Sequence, residues 1–287
     1  MKNLSWKSVL VVLVLVIITS LALSACASSS STKAAELGTL LKVKVGASPV
    51  PHAEILAYIR DNLAAAAGLE IEIVEFTDYV QPNLALNDGL LDANFFQHLP
   101  YLEDFNAERG TDLVSVANVH IEPLGIYSRT LKDLAAVPDG AVVLIPNDAT
   151  NGGRALNLLA ANGLITLKPE AGFKATLDDV LTNPKNLKIT ELEAAQLVRS
   201  LEDASLAVIN GNYALEGGLT PAKDALALES SQDNPSSRSS VSCRADTPST
   251  AMPKIRTATT QPLRITSTHR QLRSQSGRAR PPAAYSA

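Results

Sequence analysis

The chain has 287 residues, 46% of them hydrophobic, enough for one large or two modest domains with a substantial core. A net charge of −4 points neither to a nucleic-acid binder nor to an acidic disordered chain, and two distant cysteines, Cys26 and Cys243, exclude a disulfide framework. The charge is split: residues 236–287 hold nine bases and one acid (net +8), whereas the remainder holds 16 bases and 28 acids (net −12).

At the amino terminus Lys2 and Lys7 precede an apolar run over residues 9–23, the layout of a secretory signal. Leu23-Ser24-Ala25-Cys26 follows at once and resembles a bacterial lipobox, which implies cleavage after residue 25 and acylation of Cys26 by diacylglyceryl and palmitate. The run is shorter than the roughly 20 residues of a spanning helix, and no stop-transfer cluster follows. Residues 1–25 are thus a signal peptide and 26–40 a small, polar tether; acyl chains give stable membrane anchoring without a spanning segment.

Beyond the tether, residues 41–46 alternate as a strand, 53–67 carry a helical pattern closed by Gly68, and 70–76 form a second strand. Residues 77–83 open the next helix. Residues 93–96 then end a strand, and His98-Leu99-Pro100-Tyr101 opens another helix, concentrating aromatics in a chain where they make up 4%. Residues 113–128 hold two β-rich runs around Glu122-Pro123-Leu124-Gly125, the form of a crossover. Residues 141–146 are a buried strand, and a helix follows to Asn162, with Arg154 read in its first turn. Strand, helix and strand recur at 187–192, 193–201 and 204–209, ending in Asn210-Gly211-Asn212-Tyr213. Such alternation predicts α/β architecture in two lobes, with ligands beyond the carboxyl ends of the strands. Tyr79, Phe96, His98, Arg154 and Asn210 all stand at such strand-to-helix junctions.

Enzyme signatures are missing: Gly152-Gly153 lacks the lysine of a phosphate-binding loop, and no nucleophile elbow or dinucleotide fingerprint occurs. No metal is expected, because His52, His98 and His120 have no accompanying acidic cluster. No cofactor is expected either.

These junctions carry a resemblance. Phe76 to Asn83, Asp92 to Leu102, Glu122-Pro123-Leu124-Gly125-Ile126-Tyr127-Ser128, Asn151-Gly152-Gly153-Arg154 and Val208 to Ala214 are similar to motifs of the NlpA-type methionine-binding lipoproteins, the extracytoplasmic receptors of methionine importers. The resemblance implies a two-lobed periplasmic-binding-protein-like fold (type II) with the ligand cleft between lobes: residues 41–120 as lobe 1, 121–222 as lobe 2 and 223–235 returning towards lobe 1. It also implies a ligand site lined by Tyr79, Phe96, His98 and Tyr101, with Arg154 and Asn210 holding the polar end of methionine or a close derivative. Its implied partner is an ABC-transporter permease at the membrane, with no role for nucleic acid. The alternative is a surface lipoprotein with a structural or adhesive role and a vestigial pocket.

The resemblance stops near Asp233-Asn234-Pro235. From residue 236 the chain is basic and rich in Ser, Thr, Pro and Arg, a composition that predicts a disordered tail, either natural or the product of a reading-frame shift near Pro235. On this reading lobe 1 lacks its last strand and helix, and Arg238 stands where the family places a ligand-binding asparagine.

Overall fold

The structure is a computed structural model that describes residues 40–230, 234 and 238–246. The expectations for the signal peptide, for Cys26 and for the tether up to residue 39 lie outside the described residues.

In lobe 1, β1 (Leu41–Ala47) leads through a turn at 48–53 into α1 (Glu54–Ile59), whose helical turns continue to Ala67. Gly68 ends them in the left-handed region (φ +72°), where a side chain is strained. Next come β2 (Leu69–Glu75), α2 (Gln81–Asn87), β3 (Ala93–His98), α3 (Leu99–Arg109) and β4 (Leu113–Ile121). The chain then crosses to lobe 2: β5 (Gly125–Tyr127), β6 (Val142–Pro146), α4 (Ala149–Ala161), the hairpin β7 (Thr166–Leu167) and β8 (Val180–Thr182), then β9 (Lys188–Leu192) and α5 (Ala194–Ser200). It continues with β10 (Leu206–Ile209), α6 (Gly211–Glu216), α7 (Pro221–Asp224) and β11 (Ala227–Leu228), and β12 (Arg238–Arg244) lies back in lobe 1.

Each lobe holds one five-stranded sheet, ordered β2-β1-β3-β12-β4 in lobe 1 and β11-β5-β10-β6-β9 in lobe 2. The parallel pairings of β1 with β2 and β3, and of β6 with β9 and β10, follow the expected strand–helix alternation. Strands β5, β11 and β12 run antiparallel to their neighbours, so both sheets are mixed. Residues 227–228 pair with β5, which assigns them to lobe 2 rather than to the expected return segment of 223–235.

Lobe 2 is the more apolar: Val143, Ile145, Leu206 and Val208 from its middle strands pack on Leu156 and Leu159 of α4. In lobe 1, Val43, Val45, Phe95 and Val241 form the core with Leu56 of α1. Side chains alternate faces along a strand, so Phe95 enters this core while its neighbour Phe96 joins the aromatic cluster between the lobes.

Strand β12 corrects the expectation that everything from residue 236 is disordered and that lobe 1 lacks its last strand. Residues 238–244 lie between β3 and β4 and hydrogen-bond to both. Composition misleads here because the serines need no apolar burial when their hydroxyls are satisfied inside: Ser240 donates to the Gln97 carbonyl (3.1 Å), and Ser239 Oγ lies 2.8 Å from His52 Nε2. Val241 and Cys243 supply the apolar contacts, at 2% and 1% exposure. Arg238, expected in place of a ligand-binding asparagine, is exposed on this strand, and it is Ser239 that reaches the cleft.

Candidate functional site

All six residues expected to bind ligand line one pocket between the lobes: Tyr79, Phe96, His98, Tyr101, Arg154 and Asn210. Gln97, Glu122, Asn151, Gly211, Asn212 and Ser239 line it as well, and were not singled out from sequence. As the lobes stand, the cavity is about 30 Å³, room for about two water-sized spheres.

The aromatic wall is built from both lobes. The Tyr79 ring lies 5.7 Å from Phe96, 5.9 Å from Tyr101 and 5.0 Å from Tyr213, centre to centre. Burial raises the Tyr79 phenol well above its ordinary pKa, and the hydroxyl stays protonated to donate to Asn212 Oδ1 at 2.5 Å. Tyr213 donates to the Thr77 carbonyl (3.0 Å), and Lys174 pairs with Asp104, so several polar bridges join the lobes around the pocket.

His98 has both ring nitrogens engaged. Nδ1 accepts the Tyr101 backbone N–H (3.1 Å) as the cap of α3, which puts the proton on Nε2, where it is donated to Asn151 Oδ1 at 3.1 Å. Burial, reinforced by the nearby Arg154 charge, lowers its pKa to about 3. His98 is therefore a neutral bridge that shapes the pocket.

Asn151 Oδ1 is the hub of the polar side: it also accepts from Arg154 Nη1 (2.9 Å) and Asn210 Nδ2 (3.0 Å), while its own Nδ2 is held by Asp148. The placement of Arg154 needs correction. It is the sixth residue of α4 rather than in the first turn, because Asp148 caps the helix and takes the Asn151 N–H at 2.8 Å. It also forms a bidentate pair with Glu229, Nε to Oε1 at 3.0 Å and Nη2 to Oε2 at 2.5 Å. Burial disfavours the Glu229 charge, but Arg154 outweighs this and holds its pKa below the usual carboxylate value. One N–H of Nη1 has no acceptor among the described residues, since the other N–H groups go to Glu229, Asn151 and the Glu122 carbonyl. Gly153 is a packing residue: a Cβ there would lie 2.3 Å from the Phe173 carbonyl oxygen.

Three buried polar atoms of the pocket residues have no partner among the described residues: the acceptors Asn210 Oδ1 and Glu122 Oε1, and the donor Asn212 Nδ2. Leaving such groups unpaired costs about 1–3 kcal/mol each, so the pocket is prepared for a small molecule carrying both donors and acceptors. Sequence reasoning could have found Asn212, two residues from Asn210 at the same junction, but Glu122 is identified only by where the crossover runs.

The histidines group differently from expectation. His52 and His120 gather around Glu122, Nε2 to Oε2 at 3.3 and 3.2 Å, so the acid that the sequence did not reveal is supplied by the crossover. Burial opposes ionisation of Glu122, yet the two imidazole donors prevail and keep it well below the carboxylate range; burial likewise keeps His52 neutral.

Comparisons with known proteins agree with this architecture. The chain is 47% identical over 195 residues to the D-methionine-binding lipoprotein MetQ of Salmonella typhimurium, covering 67% of this chain and 72% of that one. It is 46% identical over 187 residues to the membrane lipoprotein TpN32 of Treponema pallidum (65% and 69%). Among solved structures, a nutrient binding protein from Burkholderia cenocepacia bound to methionine superposes with a TM-score of 0.73 at 44% identity, over 77% of this chain and 92% of that one. With the NlpA lipoprotein profile matching residues 43–267, past β12, the chain belongs to the NlpA lipoprotein family.

Proposed function

We propose that this protein captures methionine, or a close derivative, between its lobes and delivers it to an ABC-transporter permease from a lipid anchor at Cys26 on the extracytoplasmic face of the membrane. Among the described residues no helix is long and apolar enough to cross a membrane. The observation that carries the reading is the pairing of unsatisfied atoms with an aromatic wall. An α-ammonium has acceptors in Asn210 Oδ1 and Glu122 Oε1; an α-carboxylate has donors in Asn212 Nδ2 and the remaining Arg154 N–H. A thioether suits Tyr79, Phe96 and Tyr101, since sulfur–aromatic contacts contribute about 0.3–1.5 kcal/mol each. Calorimetric titration of residues 27–287 with L- and D-methionine tests this. One-site binding is expected, and no heat with either enantiomer refutes the reading.

A further inference from the structure

Three chain segments bring nitrogen and oxygen ligands to one point beside the pocket. His52 follows the carboxyl end of β1, His120 lies near the end of β4, and Glu122 is in the crossover between the lobes. Strand β12 adds Ser239, paired in register with both His98 and His120. The ligand atoms of His52, His120 and Glu122 lie within 4.8 Å of one another. Each Nε2 stands 3.2–3.3 Å from the same carboxylate oxygen. Ligand atoms held about 2.0–2.1 Å from one metal at tetrahedral angles are themselves about 3.3–3.4 Å apart. Two of the three separations suit a shared ion as well as they suit hydrogen bonds; the third, within 4.8 Å, shortens when an ion is bound.

As a hydrogen-bond network the cluster is incomplete. Both imidazoles aim Nε2 at a single carboxylate oxygen, that of His52 also meeting Ser239 Oγ at 2.8 Å, while Nδ1 of each ring and Glu122 Oε1 have no partner among the described residues. We infer that His52, His120 and Glu122 form a site for a divalent transition metal of the zinc class, with its fourth position open towards the pocket that Glu122 and Ser239 line. Two imidazoles and one carboxylate with an open position are a donor set that zinc accepts. On binding, each ring's proton shifts from Nε2 to the unpartnered Nδ1, so both imidazoles stay neutral. Because Glu122 belongs to the segment joining the lobes, the ion ties lobe 1 to the crossover.

Equilibrium dialysis of the full chain in detergent against zinc chloride, with metal analysis, tests the site without reference to methionine. One zinc per chain is expected, weakened at least about tenfold in His120→Gln and in Glu122→Gln. Cobalt(II) loaded into the wild-type chain gives a readout independent of variant folding: intense visible bands of tetrahedral coordination are expected. No stoichiometric zinc, zinc held equally by both variants, or only the weak bands of octahedral cobalt would overturn the assignment.

Discussion

The two sheets have the same strand count and a similar parallel frame, but they are held together by different chemistry. In lobe 2 the middle strand β10 reads Leu206-Ala207-Val208-Ile209, every residue at 0% exposure, and apolar burial alone accounts for its place. In lobe 1 the middle strand β3 carries Asn94 and Gln97, and its neighbour β12 carries three buried serines. Asn83 Oδ1 accepts from Asn94 (2.7 Å) and Gln97 (2.8 Å), and Asn83 Nδ2 donates back to Gln97 Oε1 at 2.8 Å, a closed amide network. One sheet is specified by hydrophobic patterning, the other by polar satisfaction and by a strand supplied more than 100 residues after its partners. Satisfied polar networks rigidify a core and are costly when half-broken, so lobe 1 depends more on each member.

The largest expected effect comes from removing that strand. Truncation after residue 235 leaves β3 and β4 with open edges and exposes the Val43–Phe95 core, and is expected to abolish the cooperative unfolding of lobe 1. Thermal scans with near-ultraviolet circular dichroism check this; an unchanged melting profile would show that β12 has no structural part. Next, Arg154→Ala strands the buried Glu229 carboxylate in lobe 2, at about 3–5 kcal/mol of stability, with methionine affinity falling about 10- to 100-fold. Unchanged calorimetric affinity removes Arg154 from the binding site.

A matched pair weighs the two sheets directly. Val208→Ala and Val241→Ala each delete two methyl groups, worth about 2 kcal/mol, from positions at 0% and 2% exposure. Urea midpoints should fall for both, more for Val208 in its larger apolar core. A null effect at Val241 breaks the comparison, because β12 would then not be seated.

The last effect, confined to acid pH, is a pH dependence through His98. Its folded pKa of about 3 lies below the ordinary 6.5, so between these values the unfolded chain takes up a proton that the folded chain refuses. Stability therefore falls as pH drops from 6.5 towards 3, and Glu122 and Glu229, both held below the carboxylate value, steepen the acid end. His98→Asn should flatten the slope above pH 5 in urea titrations; an identical slope would clear His98 of this role.

Sequence by itself determined the strand–helix alternation from residue 41 to 209, since periods of 2 and 3.6 are local properties of the chain. It also placed Tyr79, Phe96, His98, Tyr101, Arg154 and Asn210 at the junctions that close around one pocket. Only the tertiary structure decided the rest. Whether a serine-rich segment is tail or strand depends on the distant carbonyls and hydroxyls that meet it, and Ser240 finds its acceptor at Gln97, 143 positions away. The partner of Arg154 lies 75 positions on at Glu229, and His52 meets Glu122 only because β1 and β4 finish at the same end of their sheet. Hydrophobic periodicity is written residue by residue; the satisfaction of buried polar groups is settled by long-range partners, which no local pattern records.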